Sequence, residues 1–302
     1  HMMSLINALP GAVAQGLIWG IMAIGVYLTF RILDIADLTV DGSLGTGGAV
    51  CIMLMLSGQN VWVAMAGATA AGMAAGLATG ILHTFMGIPA ILAGILTQLG
   101  LYSINLKTMG KANQAINVDK YDLLVSLRFI RKVPFYKNTI LIVAIAIILL
   151  IVVLYWFFGT ELGCSLRATG CNDKMARAQG INTDFNRVLG LMISNGLVAL
   201  SGAMLCQYQG FADINMGRGA IVIGLAAVII GEAIFGKVFR NFGFKLLAVA
   251  LGSIIYYLVL QVVIWLGIDT DLLKLLSAGV VAVFLAIPTW KSRYFSNMGK
   301  RG

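Results

Sequence analysis

Nine apolar stretches, each about 20 residues long, recur along the chain, near residues 9–30, 38–56, 61–83, 88–106, 139–159, 185–206, 217–235, 243–266 and 271–290. Runs of this length and polarity predict membrane-crossing helices. Trp62, Tyr155, Trp156, Trp265 and Trp290 stand near their ends, where aromatic rings sit at a membrane–water interface. The pattern predicts an all-α polytopic membrane protein, about nine transmembrane helices in a single domain over residues 1–302. His1-Met2 ahead of a second Met reads as a cloning scar, and no cleavable signal peptide is evident.

Two stretches break the pattern. "DIADLTVDGSLGTGGAV", Asp34 to Val50, brings carboxylates and glycines to the head of one apolar run, and "DINMGRGAIVIGLAAV", Asp213 to Val228, does the same for another. With nine spans, one enters from the inside and the other from the outside. That is the form of an inverted-topology repeat with interrupted or short helices. Irregular backbone at such depth requires protein or water around it, because lipid offers no hydrogen bonds.

Composition sharpens the class. Hydrophobic residues make up 60% and charged residues 11%, against about 25% charged in soluble domains. The 36 glycines suit a bundle in which small residues let backbones approach. The net charge of +9 fits basic loops facing anionic lipid and argues against nucleic acid as a partner. Cys51 and Cys206 lie in apolar segments; Cys164 and Cys171 share a polar loop; no spacing among them suits a metal.

Arg31 and the basic residues of the 160–187 loop (Arg167, Lys174, Arg177, Arg187), the 236–245 loop and the tail at 291–302 fall on one side. The positive-inside rule makes that side cytoplasmic and leaves the N-terminus outside. The 107–138 loop, also basic, then lies outside; its "YDLLVSLRFIRKVPFY" reads as an interfacial helix or as a docking surface for an external partner.

Candidate chemistry is sparse. "GEAIFGKV", Gly231 to Val238, nearly matches a phosphate-binding loop, but the Ser/Thr after Lys237 is missing and the preceding residues read as a membrane helix. No catalytic or metal-binding constellation emerges, and His83 is an isolated polar group at a span end. Glu232, at the end of an apolar helix, is either part of a cytoplasmic gate or paired with Lys237 or Arg240. Thr39, Asp41, Ser43, Gln98, Asn195, Ser201 and Gln207 are the candidate pathway residues; each reads equally as an interhelical hydrogen bond. "GTELGCSLRATGCNDKMARAQGIN", residues 159–182, reads as a cytoplasmic loop with one short helix, stopped at Gly180.

Within that loop, "LRATGCNDKMARAQGIN" resembles the coupling segment of ATP-binding-cassette (ABC) importer permeases of the branched-chain amino acid and ribose type. Leu166, Arg167, Ala168, Gly170, Asn172, Ala176, Gly180 and Ile181 carry the match, with Met175 among them at helical spacing. "GLIWGIMAIGVYLTFRILDIADLTVDGSLGTGGAV" and "GLAAVIIGEAIFG" are similar to the tryptophan/tyrosine-type permeases of that superfamily. Asp37-Leu38 and Leu44-Gly45-Thr46 depart from that group and leave the transported molecule open. The resemblance implies a transport subunit of the cytoplasmic (inner) membrane, not an enzyme. It implies a partner copy (a homodimer), two ABC ATPase subunits gripping the 160–184 coupling helix, and an external substrate-binding (lipo)protein. Membrane lipid is the other partner. No cofactor is implied on this chain, ATP and Mg residing on the ATPase. The implied substrate is an amino acid, aromatic or otherwise hydrophobic. The reading from another class is an ion-driven secondary transporter, which would also carry broken helices.

Overall fold

The computed structural model describes residues 2–117, 120–121, 123–126 and 138–299. The chain order is α1 (Met2–Tyr27), a π-helical turn (Leu28–Ile32), α2 (Val40–Leu56), α3 (Val61–Thr84), α4 (Ala90–Met109), β1 (Asn113–Ala115) and α5 (Thr139–Phe158). Then come α6 (Glu161–Cys171), α7 (Asp173–Ala178), α8 (Thr183–Gln209), β2 (Phe211–Asp213), α9 (Ala220–Phe235), α10 (Phe242–Trp265), a 3-10 turn (Thr270–Leu272) and α11 (Leu273–Met298). Among the described residues, seven helices are long and apolar enough to cross a membrane. The two shorter apolar helices are α2 and α9, which follow the two stretches where the sequence pattern breaks.

Local signals set the boundaries. Asn60, Asn138, Asn182 and Asn241 each stand before an apolar run and accept a backbone N–H from the first turn, satisfying a donor that the helix leaves unpaired. Gly110 and Gly210 end α4 and α8 in the left-handed conformation (φ 72° and 83°), which costs glycine nothing.

Helix α8 is the central post, packed on α1, α2 and α3. Ser194 and Ser201 donate to the carbonyls of Gly25 and Ile18, at 2.7 Å each, so α1 runs antiparallel to α8. Gly76 of α3 and Gly47 of α2 bring their backbones against the backbone of α8 at Leu191 and Ala199. A second layer, α9 and α10, packs on the other side of α1.

The two short helices begin halfway along the bundle. At the head of α2, Asp37 and Ser43 both bond Asn195, near the middle of α8. From there α2 runs parallel to α8 until Cys51 meets Gln207 at the β-ribbon end. Helix α9 starts beside Asp41 and runs the opposite way, to Glu232 at the α6–α7 end. The two short helices therefore meet at their N-termini and run to opposite ends of the bundle.

Several expectations change. The bundle is not wholly helical: β1 and β2 pair antiparallel, Gln114 opposite Ala212. Three-residue strands carry no readable alternation. The expected single helix in the 160–184 loop is two helices, because Asn172 is extended (φ −155°) and its side chain accepts the N–H of Met175. Helix α11 continues through the expected tail to Met298, and α1 begins at Met2. Gly231 to Phe235 of the phosphate-loop look-alike is helical. Most of the expected interfacial stretch at 121–136, namely residues 122 and 127–136, lies outside the described residues.

Candidate functional site

The junction of the two short helices is a buried polar network inside an apolar bundle. Thr39, Ser43 and Asn195 have no exposed surface, and Asp37 is 2% exposed. Asp37 accepts the N–H of Thr39 at 3.0 Å and the amide of Asn195 at 2.8 Å, and Asn195 in turn accepts the hydroxyl of Ser43 at 2.6 Å. Thr39 continues the chain to Thr79, and Thr79 donates to Thr97. Asp41 accepts the N–H of Ile221 at 3.0 Å, closing the head of α9 onto the head of α2. Each carboxylate thus caps a helix start, where partial positive charge collects.

Beside this network lies an open cavity of about 240 Å³ between α2, α4 and the turn leading into α9. Asp41, Gln98, Tyr102, Asn105 and Arg218 line it. Arg218 is exposed and, among the described residues, forms no ion pair with Asp41 or any other acid. Charged and amide groups open to the surface at mid-length of apolar helices are unsuited to lipid. They suit a water-filled passage or a face covered by another protein.

The candidate pathway residues divide accordingly. Thr39, Asp41, Ser43, Gln98 and Asn195 come together. Ser201 is spent on the carbonyl of Ile18 in α1. Gln207 bonds Cys51 and the N–H of Leu124, away from the cavity. Glu232 pairs with Arg31 at 2.8 Å, not with Lys237 or Arg240, and both side chains are about two-fifths exposed. Arg218, Asn105 and Asp37 were not selected from sequence as site residues. Arg218 sits within the flagged "NMGRGA" run, so a signal existed; Asn105 lies inside the expected 88–106 span, where the pattern does not mark it.

At the opposite end, α6 and α7 form a compact projection. Leu166 and Ala176 are buried. Gly170 is pressed on the Ile32 carbonyl. Asn172 caps α7, and Gly180 (φ 83°) with Ile181 closes it by a bond from the Ile181 N–H to the Ala176 carbonyl. Ala168 is half-buried. Arg167 lies over the Phe242 ring, 5.1 Å from its centroid, and Met175 is 47% exposed. Arg187 of α8 holds Asp173 at 2.8 Å and Arg177 of α7 donates to the Thr183 hydroxyl at 2.8 Å, together fixing α7 to the start of α8. Most of the motif builds the shape of the projection; Arg167 and Met175 are left to face outward. A cavity of about 520 Å³ lies alongside, bounded by Asp34, His83, Thr169 and Arg187.

Among the described residues, no group of three His, Cys, Asp or Glu side chains is placed to hold a metal. His83 is engaged with the Ile88 carbonyl at 2.8 Å.

Comparison with known proteins gives a consistent picture. A family profile described as "Branched-chain amino acid transport system / permease component" matches residues 9–291. The tyrosine transport system permease protein of Clostridioides difficile is 38% identical over 283 residues, 93% of this chain and 91% of that protein. The autoinducer 2 import system permease protein LsrC of Yersinia pestis is 30% identical over 70% of this chain and 58% of its own length. Among solved structures, PsaBC from Streptococcus pneumoniae in complex with Fab aligns with a TM-score of 0.54 over 94% of this chain and 95% of that one. At 15% identity, that likeness concerns the fold.

Proposed function

The chain belongs to the permease family of branched-chain amino acid transport systems, and from that premise we propose that it is the membrane subunit of an ABC importer for an amino acid. The observation that carries the reading is the polar junction of α2 and α9, opening on a cavity lined by Asp41, Gln98 and Arg218. A polar surface at that depth belongs to a solute's route, completed by a second copy of the chain.

In this reading, α2 and α9 join the seven long helices to make nine spans. The N-terminus lies outside with the β-ribbon, and the C-terminus and α6–α7 lie in the cytoplasm. The α6–α7 projection is the coupling element on which an ATPase subunit acts. Its anchorage supports this role: Gly170 touches the turn after α1, and Arg187 (to Asp173) and Arg177 (to Thr183) tie α7 to α8, the helix that carries Asn195. Motion of the projection is thereby passed to the polar junction. An external binding protein delivers the solute. ATP and Mg stay on the partner ATPase, and the near-match at Gly231 has no part in the chemistry. The tyrosine-system relative favours an aromatic or other hydrophobic amino acid.

The test is reconstitution with the ATPase and binding protein of the neighbouring genes. Uptake should require ATP and cease with a hydrolysis-dead ATPase. Uptake that survives the dead ATPase but collapses with the proton gradient would overturn the reading in favour of an ion-driven carrier.

A further inference from the structure

We propose that the cavity bounded by Asp41, Gln98, Asn105 and Arg218 is a transient site for the zwitterionic head of an α-amino acid, within the permease itself. This rests on the importer reading above and deepens it. Among the described residues, the cavity holds one cation and one anion that face the same space without pairing with each other: Arg218 on the turn into α9, and Asp41 on the first turn of α2. Asp41 keeps its place because the Ile221 N–H holds one carboxylate oxygen. Its position is therefore set by the backbone, not by a neighbouring side chain.

A guanidinium offers a planar fork that matches a carboxylate. Asp41, with the amide oxygen of Gln98, offers acceptors for an ammonium group, while the Asn105 oxygen is already held by the Thr46 hydroxyl at 2.9 Å. A ligand carrying both charges satisfies both walls. A ligand with one charge leaves the other wall desolvated and unpaired, which is costly. A neutral sugar or nucleoside leaves both so. The volume, about 240 Å³, is below the range of about 300–1,000 Å³ usual for drug-sized ligands. It suits a small metabolite, its side chain lying along Leu99 and Tyr102, which are 65% and 44% exposed. Because α2 and α9 run toward opposite ends from this point, the site touches both short helices at once.

The experiment is competition binding on the full chain in nanodiscs, without the binding protein. The probes are tritiated tyrosine and leucine. The competitors are the parent amino acids, their decarboxylated amines (tyramine, isoamylamine) and their deaminated acids (4-hydroxyphenylpropionate, 4-methylpentanoate). A charge-assisted hydrogen bond contributes about tenfold or more in affinity. At least one amino acid should therefore compete about tenfold or more better than both its analogues. Arg218→Gln should bring it down to the level of its amine while leaving the amine's own affinity unchanged. Asp41→Asn, which keeps the acceptor for Ile221, should bring it down to the level of its acid. Equal competition by all three compounds, or variants that weaken the analogues as much as the parent, would overturn the site. ATP hydrolysis by the assembled transporter, stimulated by loaded binding protein, tests the importer reading separately; its persistence without that discrimination removes only this inference.

Discussion

Asp41, in the first turn of α2, accepts the backbone N–H of Ile221, in the first turn of α9, at 3.0 Å. The residues lie 180 positions apart, yet this bond joins the starts of two helices that run to opposite ends of the bundle. A side chain and a backbone amide thus define the point where the two halves meet. A change in how α9 sits against α2 must break or bend this contact.

Removing the Asp41 carboxylate uncaps α9. Loss of an N-cap costs about 1 kcal/mol, so Asp41→Ala should melt earlier than wild type in detergent. Asp41→Asn, which retains an acceptor oxygen, should melt close to wild type. Thermal melts of the two variants side by side make the comparison, and an Ala variant as stable as Asn would show that α9 starts without this cap.

Asn195 holds a carboxylate where no water reaches it. Asn195→Leu leaves Asp37 without its 2.8 Å side-chain donor, and an orphaned buried polar group costs about 1–3 kcal/mol, more when charged. Little folded protein should survive size-exclusion chromatography. Ser43→Ala removes one neutral bond to the same Asn195, worth about 0.6 kcal/mol in a membrane bundle, and should elute and melt nearly as wild type does.

Close backbone approach makes Gly47 sensitive. A methyl group there would be driven into the carbonyl of Ala199 on α8, whereas one at Gly100 meets nothing within 4 Å. Overpacking costs about 1–3 kcal/mol. Gly47→Ala should lower the melting temperature and Gly100→Ala should leave it unchanged, a contrast that melting curves resolve directly.

The Arg31–Glu232 pair links the end of α1 to the end of α9 at 2.8 Å, half in solvent. Exposed pairs contribute about 0–1 kcal/mol, so neutralising Glu232 should hardly change stability. Charge reversal is different: Glu232→Arg alone should slow uptake by repelling Arg31, and the double reversal with Arg31→Glu should restore it. Uptake by the double variant no better than by the single one would remove the pair from the transport cycle.

On the α6–α7 projection, burial separates two substitutions that the sequence alone makes alike. Met175 is 47% exposed and Ala176 is fully buried. Met175→Asp should leave the fold intact and weaken transport-linked ATP hydrolysis in the assembled complex, while Ala176→Arg should disrupt the α6–α7 packing itself. Proteolytic susceptibility of the 160–184 segment, read alongside ATPase rate, distinguishes the two effects.

The apolar helices and most of their boundaries were legible in the sequence, because apolar length, Asn caps and glycine stops are local signals. So were the two places where the pattern fails, at Asp34–Val50 and Asp213–Val228, since polar residues inside apolar runs stand out without any partner being known. The function of each polar residue was not legible. Ser201 and Asn195 share one helix and one chemistry, yet one bonds a neighbouring carbonyl and the other organises the junction. Glu232 chose Arg31, some 200 positions away, over nearer lysines and arginines. Arg218 gained its meaning only by facing the cavity that Asp41 lines. Hydropathy acts along the chain, so the sequence alone settled where the long apolar helices lie. Hydrogen bonds and ion pairs act across space, between groups that only the packed bundle brings within 3 Å, so tertiary structure alone decided which polar residues make the site.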